Sequence, residues 1–184
     1  MPAVEQIISD GEASGGTGKY GFGPIERANR TGHLYLDHMY DLALAQSGYI
    51  EMGFTTEGTH ESVIREFAVV CQNEQIELRL YEGATYTQVG DGVQLNMNRN
   101  EAATHPSVID VTDDPVVTVQ GYPVFVQQWL GINDFRADPV AQGKYNHPIV
   151  LKDNTQYVLR LTFFGANTGF ASVDVLRCEC PYHV

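Results

Sequence analysis

The amino-acid sequence predicts an all-β protein: a two-sheet antiparallel β-sandwich, jelly-roll-like, with an extended N-terminal arm. Three observations predict this fold class. Short segments in which apolar and polar residues alternate recur along the chain, Gly, Asn, Asp and Pro separate these segments, and no segment shows the periodicity of a convincing amphipathic helix. Roughly nine or ten short strands of this kind fit two packed sheets.

Residues 33–46 form the first predicted strand. At a period of two, one face of this segment collects five large apolar residues, interrupted by a histidine: Leu34, Leu36, Tyr40, Leu42 and Leu44. A helix over the same residues scatters the leucines around its axis, although the alanines near its end keep the helical alternative open. The alternation favours a strand.

The centre of the chain predicts antiparallel strands. Residues 63–71 and 76–81 are joined by a polar loop of hairpin length, and residues 90–92 form the next turn. Two alternating segments place their apolar residues on one face: Ile76, Leu78 and Leu80 in the first, Val93, Leu95 and Met97 in the second. This pattern is typical of strands with one solvated face.

The second half of the chain predicts six further strands: residues 108–111, 116–119, 124–130, 149–151, 157–164 and 170–178. The polar residues 131–146 are predicted to form a long loop. Within residues 157–164, Leu159 and Leu161 are expected to face the core between the sheets, and Arg160 to face solvent.

The beginning of the chain predicts an arm. Residues 9–32 hold seven glycines, and Tyr20 and Phe22 are the only large apolar side chains of this segment before Ile25. Such a segment buries too little apolar surface to offset the entropy that it loses on ordering. The predicted organisation is therefore a glycine-rich arm over residues 1–32 and a β-sandwich domain over residues 33–184.

Length, charge and cysteine content limit the classes of function that are expected for this chain. The 184 residues suit one domain, and the net charge of -12 disfavours nucleic-acid binding, because phosphate backbones attract clustered Lys and Arg. No apolar run approaches the ~18 residues of a membrane span. Cys71, Cys178 and Cys180 are odd in number and the N-terminus lacks a secretory pattern, so we expect reduced thiols in a cytoplasm.

The sequence contains only incomplete motifs for a nucleotide site and for a zinc site. Residues 15–19 (GGTGK) are similar to a phosphate-binding loop, but Ala13 and Tyr20 stand where that motif requires Gly and Ser or Thr. Cys178, with Cys180 and His183, offers soft ligands, but alternate residues of a strand share one face and do not surround a tetrahedral ion. We therefore expect no metal and no cofactor.

Two further groups of residues could form a binding site, one for calcium and one for a sugar. Asp110, Asp113 and Asp114 offer calcium ligands, but a solvated turn explains them better. The nucleophile motif Gly-x-Ser-x-Gly is absent, so an enzyme is not expected. Tyr122, Phe125 and Trp129 could form a sugar-stacking platform, although alternation along residues 124–130 favours Trp129 in the core.

Two motifs of the chain resemble those of small virion proteins of tailed bacteriophages. The first is YEGAT at residues 81–85, followed by NRN at residues 98–100. The second is LKDNTQYVLRLT at residues 151–162. The resemblance covers roughly residues 64–178, whereas the final RCECPY replaces the usual aromatic-acidic dipeptide.

This resemblance implies a jelly-roll capsid decoration, or cement, protein that binds the outer surface of a phage capsid and stabilises contacts between capsomers. The implied partner is the major capsid protein, and the implied location is the capsid exterior after synthesis in the host cytoplasm. We expect a homotrimer, with a dimer as the alternative. A carbohydrate-binding β-sandwich and a head-fibre or tail-associated virion protein remain alternative functions. The arm supplies the candidate capsid contacts: Lys19, Tyr20, Phe22, Arg27 and Arg30.

Overall fold

The computed structural model describes residues 28, 31–45, 47–72, 75–98, 106–130, 140–164 and 168–181. The strands within these residues are β1 (Leu34–Leu44), β2 (Tyr49–Thr55), β3 (His60–Gln72), β4 (Gln75–Glu82), β5 (Thr85–Thr87), β6 (Gly90–Asp91), β7 (Val93–Asn96), β8 (Asp110–Asp113), β9 (Val116–Val119), β10 (Tyr122–Leu130), β11 (Val140–Tyr145), β12 (Ile149–Leu151), β13 (Gln156–Phe163) and β14 (Gly169–Pro181).

The strands form two antiparallel sheets that pack face to face. Sheet I has the order β11-β3-β14-β1-β7, with β12 also paired to β3, and sheet II has the order β10-β4-β13-β2-β8-β6. The first four strands alternate between the sheets, and so do the last three. This connectivity is jelly-roll-like, and the predicted all-β sandwich is confirmed.

The core between the sheets follows the predicted alternation. Across β4 and β13, Leu78 pairs with Leu161 and Leu80 with Leu159, and all four side chains are fully buried. Burial of each leucine contributes about 1.5–3 kcal/mol. The predicted inward orientation of Leu159 and Leu161 is confirmed. From sheet I the same core receives side chains of β3 and β14: Phe67, Val69, Val173 and Val175.

Segment β1 is a strand, as predicted, but much of its apolar face is not the core face. Pairing with β14 directs Asp37 and Met39 toward sheet II and Leu36 outward. A β-bulge between Asp41 and Leu44 shifts the alternation, so that Leu44 returns to the core. Up to the bulge, the apolar face seen in the sequence is therefore an outer face of the sandwich.

The segment predicted as a long polar loop contains strand β11, so that prediction is wrong for residues 140–145; residues 131–139 lie outside the described part of the chain. Strand β11 pairs with β3. Gly143 permits close packing, because a Cβ there would lie 1.9 Å from Nε1 of Trp129. Tyr145 packs against Phe125 with 4.5 Å between ring centroids. An edge strand needs few buried side chains, so its polar sequence reads as a loop.

A two-stranded sheet of β5 and β9 covers part of the outer face of sheet II. Tyr86 lies over Gly53, where an added Cβ would lie 2.6 Å from the tyrosine ring. The Tyr86 hydroxyl lies 2.9 Å from Oγ1 of Thr55. This cover explains why Val158, which points away from the main core, is nevertheless buried.

The sandwich has two lateral edges. At the β7 edge, β7 of sheet I lies beside β8 of sheet II, and the Gly92 backbone N–H donates to the Val111 carbonyl at 2.9 Å. At the β10 edge, β10 of sheet II lies beside β11 of sheet I, where Phe125 meets Tyr145. These two edges lie on opposite sides of the molecule and carry the surfaces described next.

Candidate interaction surfaces

The five arm residues that are predicted to contact a capsid lie outside the described residues: Lys19, Tyr20, Phe22, Arg27 and Arg30. Ala28 is described, and it belongs to the segment predicted as the arm. It is buried in a small cluster with Leu34, Val63 and Cys178 on the outer face of sheet I. Its carbonyl accepts a hydrogen bond from the backbone N–H of His33 at 2.8 Å. Within the predicted arm, Ala28 is therefore packed on the outer face of sheet I.

The interior behind this part of sheet I is charged. Arg177 is fully buried, and its Nε donates to Oδ2 of Asp37 at 2.5 Å. Its Nη1 donates to Oε1 of Glu179, and its Nη2 donates to Oγ of Ser107 at 3.0 Å. The guanidinium also lies 4.8 Å from the ring centroid of Tyr35. Each buried charge thus has an oppositely charged, hydrogen-bonded partner, as burial requires.

This surrounding shifts three pKa values upward, those of Tyr35, Asp37 and Arg177, and burial is the largest cause of the raised pKa of Asp37. Burial, followed by the charge of Glu179, raises the pKa of Tyr35 to about 12, against the opposing effect of Arg177. Although burial alone would lower the pKa of Arg177, Asp37 and Glu179 raise it above its ordinary value. The guanidinium is therefore a permanent charge that ties β1 to β14 from the inside.

The outer side of the same strands is apolar. Leu36 pairs directly with Leu95 on β7 and with Leu176 on β14. Val93, Leu95 and Met97 are 48%, 52% and 42% exposed. We call Leu36, Val93, Leu95, Met97 and Leu176 the apolar face. Because charge lies inside and apolar side chains lie outside, this end of the sandwich reverses the ordinary arrangement of a soluble protein.

A polar rim borders the apolar face. His38 pairs with Val93 across the strands, and its Nδ1 lies 2.6 Å from Oδ1 of Asp174. The His38 ring also stacks on Tyr40 at 5.4 Å between centroids. A patch of apolar side chains with a polar rim has the anatomy of a protein–protein contact.

A second group of exposed apolar side chains lies at the β10 edge. Tyr122, Val124 and Val126 are 53%, 42% and 48% exposed. Phe125 and Trp129 of the same strand point inward and pack against the core. The preferred core position of Trp129 is thus correct, and the sugar-stacking platform of Tyr122, Phe125 and Trp129 does not form on one face.

The two edges differ in charge. The strands beside the apolar face, β6 and β8, and the turn after β8 expose four carboxylates: Asp91, Asp110, Asp113 and Asp114. Around β10 three cations are exposed, Arg79, Lys144 and Lys152, and one exposed carboxylate, Asp153, lies next to Lys152. Each of these cations bridges to a carboxylate that is more buried than itself: Glu77, Glu66 and Glu82 respectively. At the β10 edge the N–H donors of these three cations therefore lie farther out than the carboxylates with which they pair.

A hydrogen-bonded corner fixes Lys152. Its Nζ donates to Oε1 of Glu82 at 2.6 Å, and the Tyr157 hydroxyl donates to Oε2 of Glu82 at 2.9 Å. The Tyr122 hydroxyl also donates to Oε1. Burial and the bond to Glu82 raise the pKa of Tyr157 to about 12, although the backbone N–H of Lys152 opposes this. The corner joins β4, β10 and β13 and pairs its charges internally.

Metal-binding groups do not assemble in the described part of the chain, where no three His, Cys, Asp or Glu side chains could hold an ion. Cys71 is buried in the core, and burial raises its pKa to about 11. Cys178 is buried on the outer face of sheet I, and its Sγ accepts from Nε of Arg65 at 3.1 Å. Cys178 is thus buried without pointing into the core between the sheets. The Cys180 side chain, His183 and residues 15–19 lie outside the description.

No helix among the described residues has the length and apolar character needed to cross a membrane.

The chain matches no protein-family model and no curated protein. Among solved structures, the mitogen of Yersinia pseudotuberculosis is 10% identical with a TM-score of 0.33, over 76% of this chain and 83% of that chain. The globular domain of a zebrafish complement 1qA protein is 12% identical with a TM-score of 0.36, over 78% and 94%. A family 35 carbohydrate binding module from Clostridium thermocellum is 11% identical with a TM-score of 0.27, over 76% and 89%. Likenesses at these identities and scores give no basis for assigning a function.

Proposed function

We propose that this chain is a structural virion protein that decorates the outside of a phage capsid and stabilises contacts between capsomers. The observation that supports this most is the exposure of large apolar side chains at both lateral edges. Contiguous apolar side chains on a soluble domain are typical of contacts with other proteins. The charged groups of the interior are instead paired with one another, as in a structural scaffold.

The sequence supports the same proposal in two ways. The YEGAT and LKDNTQYVLRLT motifs resemble those of virion proteins. The first joins the end of β4 to β5, and the second forms the connection from β12 in sheet I to β13 in sheet II, with most of β13. The net charge of -12 suits a protein that must stay in solution before it meets a shell. The proposed partner is the major capsid protein, with the decorating protein on the capsid exterior.

The arm supplies the proposed capsid anchor. Its residue Ala28 is buried on the outer face of sheet I, and its candidate capsid contacts are Lys19, Tyr20, Phe22, Arg27 and Arg30. In the proposed homotrimer, three arms bind one shell together, so contacts that are weak singly gain from effective concentration. The proposal assigns no catalytic activity and no cofactor to the chain.

Co-sedimentation tests the proposal. Purified protein is mixed with empty capsids of the phage whose genome carries this sequence, and the pellet is measured against protein concentration. We expect saturable binding at a fixed number of copies per capsid. A folded protein that stays in the supernatant at micromolar concentration contradicts the proposal, and capsids that already carry the protein at saturation serve as the control.

A further inference from the structure

We infer that the two lateral edges bind each other between copies of this chain: the β7 edge of one copy contacts the β10 edge of the next. This head-to-tail contact builds a closed ring. The inference names the surfaces of the self-association, and it rests on the proposed function only for the expected closure at three copies.

The first observation is that both edges expose apolar side chains on edge strands. Among the described residues, β7 pairs only with β1, and β10 pairs only with β4. The β7 edge presents Val93, Leu95 and Met97, whereas the β10 edge presents Val124 and Val126. Edge strands of this kind invite pairing, and natural proteins usually protect them with charged side chains or proline. Strand β7 contains neither.

The second observation is that the edges complement one another in charge. The β7 edge is flanked by exposed carboxylates, of which Asp91 and Asp113 lie on the paired strands β6 and β8. The β10 edge is flanked by Lys144 and Lys152, whose side chains are largely exposed. Each ammonium group donates to a buried or half-buried glutamate and keeps further N–H donors for a second carboxylate.

Complementarity decides between a head-to-tail and a two-fold contact. In a two-fold contact the same edge meets itself, which would bring the aspartates of two β7 edges together. In a head-to-tail contact the aspartates meet lysines, and apolar residues meet apolar residues. A contact between two different surfaces gives a ring when its rotation closes. Charge therefore favours the heterologous ring over the isologous dimer.

Two substitutions disable one edge each. Leu95→Asp places a carboxylate in the apolar face, and Val126→Asp does the same at the β10 edge; both sites are about half exposed in the single chain. Sedimentation velocity is expected to give the mass of three chains for the unmodified protein and of one chain for each variant. The dissociation constant of each variant should rise about tenfold or more. Phe164→Asp, at an exposed site on neither edge strand, is the matched control and should leave the ring unchanged.

Mixing the two variants separates the two geometries. Each variant keeps the edge that the other has lost, so an equimolar mixture should form a one-to-one heterodimer that cannot grow. An unmodified protein that is monomeric overturns the inference, and so does a dimer that Leu95→Asp dissociates but Val126→Asp does not. If either aspartate variant loses cooperative melting, the milder Leu95→Asn and Val126→Thr take its place.

These measurements use no capsid, so the two proposals fail separately. A ring that assembles as described but does not co-sediment with capsids supports this inference and contradicts the proposed function. A monomer that decorates capsids does the reverse.

Discussion

Arg177 has no exposed surface, and its guanidinium is enclosed by two carboxylates and an aromatic ring. Replacement by methionine fills much of the same volume but leaves Asp37 and Glu179 buried without a counter-charge. We expect Arg177→Met to lower the free energy of unfolding by about 3–5 kcal/mol. Urea denaturation measures this loss.

The control for Arg177→Met lies on the same strand. Asp174→Asn removes the carboxylate beside His38, where both side chains are partly exposed. Exposed ion pairs contribute about 0–1 kcal/mol, so this change should be small. Equal losses from the two substitutions would show that the charged interior is not buried as described.

Substitutions at Leu159 and Arg160 test which side of β13 points into the core. Leu159 is fully buried against both sheets, whereas Arg160 lies on the outer face of sheet II, beside Glu51 and Tyr49. Leu159→Ala should lower the free energy of unfolding by about 2–5 kcal/mol through lost burial and a cavity. Arg160→Ala should have a smaller effect, because Arg160 is partly exposed, although the change leaves the buried carboxylate of Glu51 without this partner. Equal, small losses for both substitutions in denaturant would contradict the register of β13.

Because of Tyr157, we expect the free energy of unfolding to fall at alkaline pH. Its pKa is about 12 in the folded protein and about 10 in an unfolded chain. Because the folded pKa is the higher one, this contribution is fully present below pH 10 and is lost as the pH rises toward 12. Tyr157→Phe should therefore flatten the fall in unfolding free energy between pH 10 and 12. An equally steep fall in the variant would assign the effect elsewhere, with Tyr35→Phe as the comparison.

Alternation within one strand predicts which residues share a face, and for Leu159 and Leu161 this was sufficient. It does not predict which strands become neighbours. Asp37 and Arg177 are 140 residues apart, and only the pairing of β1 with β14 brings them together. The charged interior, and with it the outward turn of Leu36, therefore could not be predicted from local sequence.

The position of strand β11 depends on the close packing of Gly143 against Trp129. A Cβ at Gly143 would overlap the indole of Trp129, so Gly143→Ala must displace β10 or β11. We expect a loss of about 1–3 kcal/mol. At Gly90 the nearest atom to an added Cβ is 3.8 Å away, so Gly90→Ala should be tolerated. Thermal melting of both variants compares them, and a Gly143→Ala protein as stable as Gly90→Ala would contradict the packing of β10 on β11.

Most predicted strands exist because their apolar residues repeat at a period of two, as in β4 and β13. Two elements escape this pattern for physical reasons. A bulge in β1 changes the inward residues partway along the strand. Strand β11 lies at the end of sheet I in the main strand order, and its Gly143 packs under Trp129 instead of burying a side chain of its own.

At the scale of the whole molecule, the proposed arm is expected to be dispensable for the fold of the sandwich. Deletion of residues 1–27 leaves Ala28 in its cluster, so the truncated protein should fold, with circular dichroism like that of the full chain. It should keep its oligomeric mass in light scattering, because the two lateral edges remain. Capsid binding should be lost or strongly weakened, since the lost contact is multiplied over the subunits.

Two results would contradict the role of the arm. A truncated protein that misfolds would make the arm part of the core. A truncated protein that co-sediments with capsids as well as the full chain would place the capsid contact on the sandwich, with residues 131–146 as the first region to test.

Cryo-electron microscopy of empty capsids incubated with the protein tests the central claim most directly, because it shows both the site and the number of copies. The account predicts sandwich-shaped density on the outer surface, repeated at symmetry-related junctions between capsomers, with lateral edges in contact and arms directed toward the shell. Capsids that stay bare at saturating protein, or density confined to the tail or to fibres, would contradict it.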